Sequence, residues 1–212
     1  DWGTPAPQIS HVEQSEWAGG FRVCLRGHIA ASTEIALEIR IQADQENLCY
    51  EATAAIRDDL ATNRTGVVLM HPLAACGRRV QVEHCDGRTS TSTFPTLISP
   101  WPPFTLVRAI RHEYADGAWA SCRFAGDDVE LEDQRNNADA SFKTYSRSNL
   151  MPRPYMLRAG AVLRQSIELR IETPPTTRRT HIRAPVRVRI GESAGALPSI
   201  GTAIAGGDLT AG

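Results

Sequence analysis

In Ile35-Ala36-Leu37-Glu38-Ile39-Arg40-Ile41-Gln42 every second residue is aliphatic, a period that sets four apolar side chains on one face of an extended strand. The period returns in residues 162–171, where Leu163, Ile167, Leu169 and Ile171 alternate with Arg164, Ser166, Glu168 and Arg170. It returns again in 21–27 and in 79–84, the latter closed by the turn dipeptide Asp86-Gly87. The clearest hairpin pairs 106–114 with 118–124 across Ala115-Asp116-Gly117, and a turn at Gly126-Asp127 leads into one more strand. Residues 67–70 form a continuous apolar run ending at His71-Pro72. Residues 47–57 favour helix by propensity, but strands on both sides favour a strand there. Residues 1–20 read as an extended entry broken by Pro5, Pro7 and Gly19-Gly20. Phe94-Pro95 to Pro102-Pro103, with Trp101, reads as a crossing over a sheet end, pinned by its aromatics rather than by ladder bonds. About ten closely spaced strands with hardly any helix predict an all-β fold, an antiparallel β-sandwich. Its domain spans 1–173; residues 174–212 hold a hinge at Pro174-Pro175-Thr176-Thr177, a last short strand at 186–190 and a Gly-, Ala- and Ser-rich linker.

At 212 residues the chain can bury a full core. Lys+Arg 23 against Asp+Glu 24 leaves a net charge of -1, which is no electrostatic footprint for nucleic acid or an anionic membrane. No apolar run approaches the length of a membrane span, and no signal-peptide pattern opens the chain. The start at Asp1, without methionine, reads as a piece of something longer. The five cysteines, Cys24, Cys49, Cys76, Cys85 and Cys122, are odd in number and lack zinc spacing, which fits a reducing, cytoplasmic setting. Cys24 and Cys122 lie in strand-like runs, where small buried thiols are common.

One stretch is chemically dense. In residues 128–145 Val129 and Leu131 alternate with Glu130 and Glu132, and then apolar residues almost vanish. Glu132, Asp133, Gln134, Arg135, Asn136, Asn137 and Asp139 follow, then Phe142, Lys143 (the only lysine) and Tyr145. Acids, amides and cations leaving a strand end suit a polyhydroxylated ligand, because amides and carboxylates bind hydroxyls in pairs and a cation holds an oxyanion. The bland alternative is a solvated loop with turns at Asn136, Asn137 and Asp139. His71, at the end of an apolar strand, is placed to face a cleft. His112-Glu113 and Glu83-His84 are strand neighbours, so each pair points to opposite faces. No HxH or HxxxH spacing points to a metal, no nucleophile elbow surrounds Ser141 or Ser148, and no cofactor motif occurs. Trp17, Trp101 and Trp119 read as core or rim anchors.

The polar stretch, with Glu132-Asp133-Gln134-Arg135-Asn136 and Asp139-Ala140-Ser141-Phe142-Lys143-Thr144-Tyr145, resembles the signature of bacterial D-apionate lactonase (D-apionolactonase) proteins. The segment His71-Pro72 through Gly77, then Val80, Val82, Glu83, His84 and Asp86-Gly87, and Phe94-Pro95-Thr96-Leu97-Ile98-Ser99-Pro100 are similar to the same family, as are Asp1-Trp2-Gly3-Thr4 and Gly195-Ala196-Leu197-Pro198. Asn137-Ala138 stands where the family carries Trp-Thr, which removes an aromatic from the candidate site. The resemblance implies an enzyme of apiose breakdown that opens a sugar lactone to its aldonate with water. It implies a longer chain as well, in which an N-terminal β-sandwich precedes a barrel domain and a C-terminal domain. This sequence would cover the sandwich, without its first strands.

Lactone hydrolysis needs an activated nucleophile, a base and donors for the tetrahedral oxyanion. Glu132 or His71 is the candidate base, and Arg135 or Lys143 the oxyanion donor. Asp133, Asn136, Asp139, Lys143, Tyr145 and His112 are the candidate contacts to a lactone or aldonate. Two other readings stand beside this one. The chain is a non-catalytic carbohydrate-binding or packing module for the barrel domain, or its sandwich is a supersandwich similar to galactose-mutarotase-like domains. In the last case His71-Pro72 looks like their histidine motif, and a carboxylate partners it in anomer exchange.

Overall fold

The alternating runs become the strands of one antiparallel sheet. The computed structural model describes residues 5–137 and 139–172. These fall within the first of two units, residues 1–176, and the second lies outside the described residues. So do Asp1-Trp2-Gly3-Thr4, Ala138, the hinge at 174–177, the strand expected at 186–190 and the linker after it.

A meander opens the chain: β1 (Pro7–Trp17), β2 (Gly20–Ala30), β3 (Glu34–Ala43) and β4 (Asn47–Ile56). Then come β5 (Leu60–Thr62), β6 (Val68–Pro72), β7 (Arg79–His84), β8 (Thr89–Thr93), β9 (Phe104–Ala115), β10 (Ala118–Ala125) and β11 (Val129–Asp133). β12 (Ser141–Ser146), β13 (Tyr155–Leu157) and β14 (Val162–Glu172) complete the described strands. The main sheet runs β1-β2-β3-β4-β14-β10-β9 and forks at β9, continuing as β11-β12-β6 and as β7-β8; β5 and β13 pair separately. The run read as an extended entry is thus an edge strand, paired with β2 from Pro7↔Ile29 to Trp17↔Gly20 with one register shift between Ile9 and His11. It lacks apolar alternation because all of its residues are exposed. Of residues 47–57, Asn47–Ile56 form a strand despite their helix propensity, since β3 and β14 supply ladders on both edges.

The fork rests on a bulge. Val129 faces Val107 and Leu131 faces Phe104, so two residues of β9, Thr105 and Leu106, stand opposite the single Glu130. Leu106 takes a left-handed φ of 51° there, and its carbonyl accepts the Cys85 N–H at 2.7 Å. Beyond it β9 pairs with β7, from His84↔Val107 to Val80↔His112.

The sandwich closes when the branches fold over the sheet. Ile110, Cys122, Phe124 and Ile167 form one buried cluster with Val80, Val82, Val129, Leu131 and Phe142. Phe94 is fully buried, its ring in edge contact with Phe104, His112 and Phe142 and tilted against His71. Between the layers the Val67 N–H donates to Gln165 Oε1 at 2.8 Å. Gly66 makes that approach possible, because a Cβ there would meet Gln165 Oε1 at 2.6 Å and Ser146 Cβ at 2.7 Å. A second cluster, Ile35, Ile56, Leu60 and Leu157, seals the sheet under β5 and β13.

The tryptophans depart from expectation. Among the described tryptophans Trp101 and Trp17 are exposed, and Trp119 is sheltered by the Arg79 and Arg111 guanidiniums, 5.1 and 4.3 Å from its ring. The proline-rich crossing is anchored by Phe94 instead. Phe94→Ala should therefore lower unfolding free energy by about 3–5 kcal/mol, whereas Trp101→Ala in this chain should stay within about 0.5 kcal/mol, both read from urea midpoints.

Candidate functional site

Strand alternation divides the polar stretch between two faces. On β11, Val129 and Leu131 enter the core with Asp133, which leaves Glu130 and Glu132 on the other face. Residues opposite each other in a ladder share a face, so the register Glu130↔Tyr145 and Glu132↔Lys143 sets these four side chains together. Val68 and Met70 of β6 extend that face, opposite Tyr145 and Lys143.

Arg64, from the segment after β5, lies over it. Its Nη2 donates at 2.8 Å to Glu130 Oε1 and at 2.8 Å to Glu132 Oε1, and its guanidinium sits 4.3 Å over the Tyr145 ring. Glu130 also accepts the Ser148 hydroxyl at 2.8 Å. Glu132 accepts Asn149 Nδ2 at 2.9 Å on one oxygen and Gln134 Nε2 at 2.8 Å on the other. Arg153 donates to Asn149 Oδ1 at 2.7 Å. Lys143 is ion-paired to Asp139, which also accepts the Ser141 hydroxyl at 2.9 Å. Burial pushes the Glu130 carboxyl above its ordinary range; the neighbouring Glu132 adds to this, and the Asn149 N–H and Ser148 hydroxyl oppose it. Lys143 holds Asp139 below the usual carboxylate range, and Asp139 raises Lys143 in return. Two adjacent carboxyls under one guanidinium, rimmed by a lysine and a phenol, can hold a proton and bind hydroxyls. Glu132 keeps 18% of its side chain exposed.

The other expected residues lie elsewhere. His71 faces the core opposite Phe142, 2% exposed, its Nε2 2.6 Å from Thr144 Oγ1. His112 is buried beside it, with ring centroids 5.5 Å apart. His71 and Glu132 thus occupy opposite faces of the β11–β12–β6 ladder. Asp133 is buried at the end of β11, where it accepts Arg135 Nε at 2.8 Å and the Ser99 N–H at 2.9 Å. Burial acts to raise Asp133, but Arg135 and the Ser99 N–H outweigh it and hold the carboxyl below its usual range. Arg135 Nη1 and Nη2 donate further to the Pro95, Thr96 and Leu97 carbonyls, and also to Cys76 Sγ and Asp133 Oδ2. Asn136 is exposed in the short 3-10 turn Gln134–Asn137. The structure therefore brings together Glu132, Lys143, Tyr145 and Asp139, and separates them from His71, His112 and the Asp133–Arg135 pair. Among the described residues no three His, Cys, Asp or Glu side chains are grouped to hold a metal ion.

Arg64, Glu130, Ser148 and Asn149 complete the face and were not expected from sequence. Glu130 carried a signal, because two acids at i and i+2 in a strand share a side. Arg64 carried none, since 66 residues separate it from Glu130.

Burial, with the nearby His112 adding to it, holds the His71 imidazole neutral down to about 3. A depressed folded-state value means that its stabilising contribution is complete above about 6.5 and is lost as pH falls from there through about 3. His112 is lowered too, again chiefly by burial. Unfolding free energy should therefore fall toward acid below pH 6.5, by up to about 1.4 kcal/mol per pH unit per histidine. His71→Gln should flatten that slope in urea unfolding series at pH 6.5, 5.5 and 4.5.

Comparison with known proteins places this geometry in a family. Residues 1–174 match the model of the D-apionate lactonase N-terminal domain. The chain is 40% identical over 215 residues to D-apionate lactonase of Brucella anthropi, an alignment covering 96% of this chain and 34% of that protein. It thus spans about a third of the length of this curated relative. A solved structure of a proposed aldose 1-epimerase from Escherichia coli K12 superposes with a TM-score of 0.51 at 13% identity, covering 79% of this chain and 69% of that one. At that identity the likeness bears on the fold alone, and it agrees with a galactose-mutarotase-like sandwich.

Proposed function

The chain belongs to the D-apionate lactonase N-terminal domain family, and from that premise we propose that it is the leading domain of a longer bacterial enzyme that opens D-apionolactone to D-apionate with water. The observation that carries the reading is its 40% identity to a curated D-apionate lactonase over 96% of its own length. The face bearing Glu132, Lys143 and Tyr145 borders the lactone, completed by a downstream barrel domain. Glu132 takes the proton of the attacking water and Lys143 holds the oxyanion as the carbonyl becomes tetrahedral; on collapse the ring C–O bond breaks and Glu132 returns the proton to the leaving ring oxygen. Asp139 and Arg64 act on these two as positioning partners. Arg135 and Asp133 position the crossing at 95–99. The five free cysteines fit a reducing cytoplasm.

A second reading is favoured by one observation. Both Glu132 oxygens are already engaged by protein donors, Arg64 and Asn149 on one and Gln134 on the other. A carboxylate so satisfied also suits a buttress, with the chemistry held by the downstream domain. Anomer exchange is less favoured, because it needs a histidine open to the sugar and His71 is enclosed.

Lactone hydrolysis followed by pH-stat separates these readings. In the enzyme carrying its downstream domains, Glu132→Gln should lower kcat by roughly 10²–10⁴-fold with little change in KM if Glu132 is the base. A variant that keeps its kcat would make this domain a buttress and sink the assignment.

A further inference from the structure

The crossing between β8 and β9 has an unusual combination of features. Residues 94–107 contain no Asp, Glu, Lys or Arg. Leu97, Ile98 and Trp101 are 84%, 56% and 78% exposed. Yet the backbone beneath them is tightly held. Arg135 donates to the carbonyls of Pro95 at 2.8 Å, Thr96 at 3.1 Å and Leu97 at 3.1 Å, while Asp133 takes the Ser99 N–H at 2.9 Å. The Ser99 hydroxyl closes the tip on the Trp101 carbonyl at 2.7 Å. Phe94 roots the segment in the core, its backbone bonded to Arg78 and Gly77. A sheltered ion pair, costly to remove from water, is thus committed to shaping a loop whose large apolar side chains remain in water.

Such an arrangement is what a preorganised anchor requires. Binding energy concentrates in a few large side chains, tryptophan above all, and a backbone already fixed loses little freedom on docking. A charge-free tip does not fit nucleic acid, and the two arginines bonded to the segment, Arg78 and Arg135, are paired to Asp116 and Asp133 rather than free for lipid phosphates. A permanently exposed apolar cluster is a liability unless its partner is always present. The curated relative extends over a further two thirds of its length beyond the part this chain matches. We propose that Leu97, Ile98 and Trp101 dock into an apolar groove on the downstream domain of the same polypeptide, with Asp133 and Arg135 as the residues that hold the loop in its docking shape. This rests on the reading of the chain as the leading domain of a longer enzyme.

The test places the photo-crosslinking residue p-benzoylphenylalanine at Trp101 in the enzyme carrying its downstream domains. After irradiation, mass spectrometry should find links to peptides beyond residue 212, in a product that migrates as a single chain on a denaturing gel. Links to a second copy, or none, would overturn the proposal. A second arm needs no crosslinker. The pair Leu97→Ser with Trp101→Ser should lower the midpoint of the longer enzyme while leaving the midpoint of the 212-residue chain within error; equal shifts in both, or no shift in either, count against docking. Lactone hydrolysis is measured on the same unsubstituted enzyme. Intramolecular links without hydrolysis would remove the lactonase reading alone, and hydrolysis without such links would remove the docking surface alone.

Discussion

Strand β11 carries acids on both of its faces, and one on each, Asp133 and Glu130, is closed to water. A carboxylate so placed must be paired and hydrogen-bonded, or it takes up a proton. Asp133 meets the requirement through Arg135 and the Ser99 N–H, and remains ionised below its ordinary range. Glu130 meets it through Arg64 and Ser148, but burial, with Glu132 beside it, holds its proton more tightly. Much of the local architecture follows from these two solutions. Arg135 fixes the proline-rich crossing, and Arg64 draws the segment after β5 over Tyr145.

The fork at β9 is what lets one chain present both solutions side by side. A flat continuation would keep β11 and β7 from sharing one edge of β9. The bulge at Thr105 and Leu106 changes the strand's partner, and the branches then fold over Phe94. His71 and His112 meet at the seam as neutral members of an aromatic cluster. A histidine that looks catalytic in sequence is thus enclosed among the packed rings of the core.

Family membership and fold likeness carry different weight. Identity across nearly the whole chain ties it to the D-apionate lactonase N-terminal domain, while the epimerase likeness concerns the path of the backbone. A mutarotase-like sandwich therefore need not keep a mutarotase site. In this chain the polar side chains that converge lie on the outer face of β11, β12 and β6, away from the two histidines.

Read alone, the sequence determined the all-β class, most of the long strands and the hairpin at Ala115-Asp116-Gly117, because alternation is a local property that one ladder suffices to express. β1, β8 and β12 were harder to read: exposed strands carry no apolar period, and the inward set of β12 is Phe142, Thr144 and Ser146, two of them hydroxyls. Of the candidate site, the alternation of β11 was legible, and with it the shared side of Glu130 and Glu132. That Arg64 joins them, that His71 turns inward and that Arg135 serves a loop were decided by tertiary structure. Each depends on a contact between residues far apart in the chain, and the side of a sheet on which a residue ends is set by register and layer packing, which no local pattern encodes.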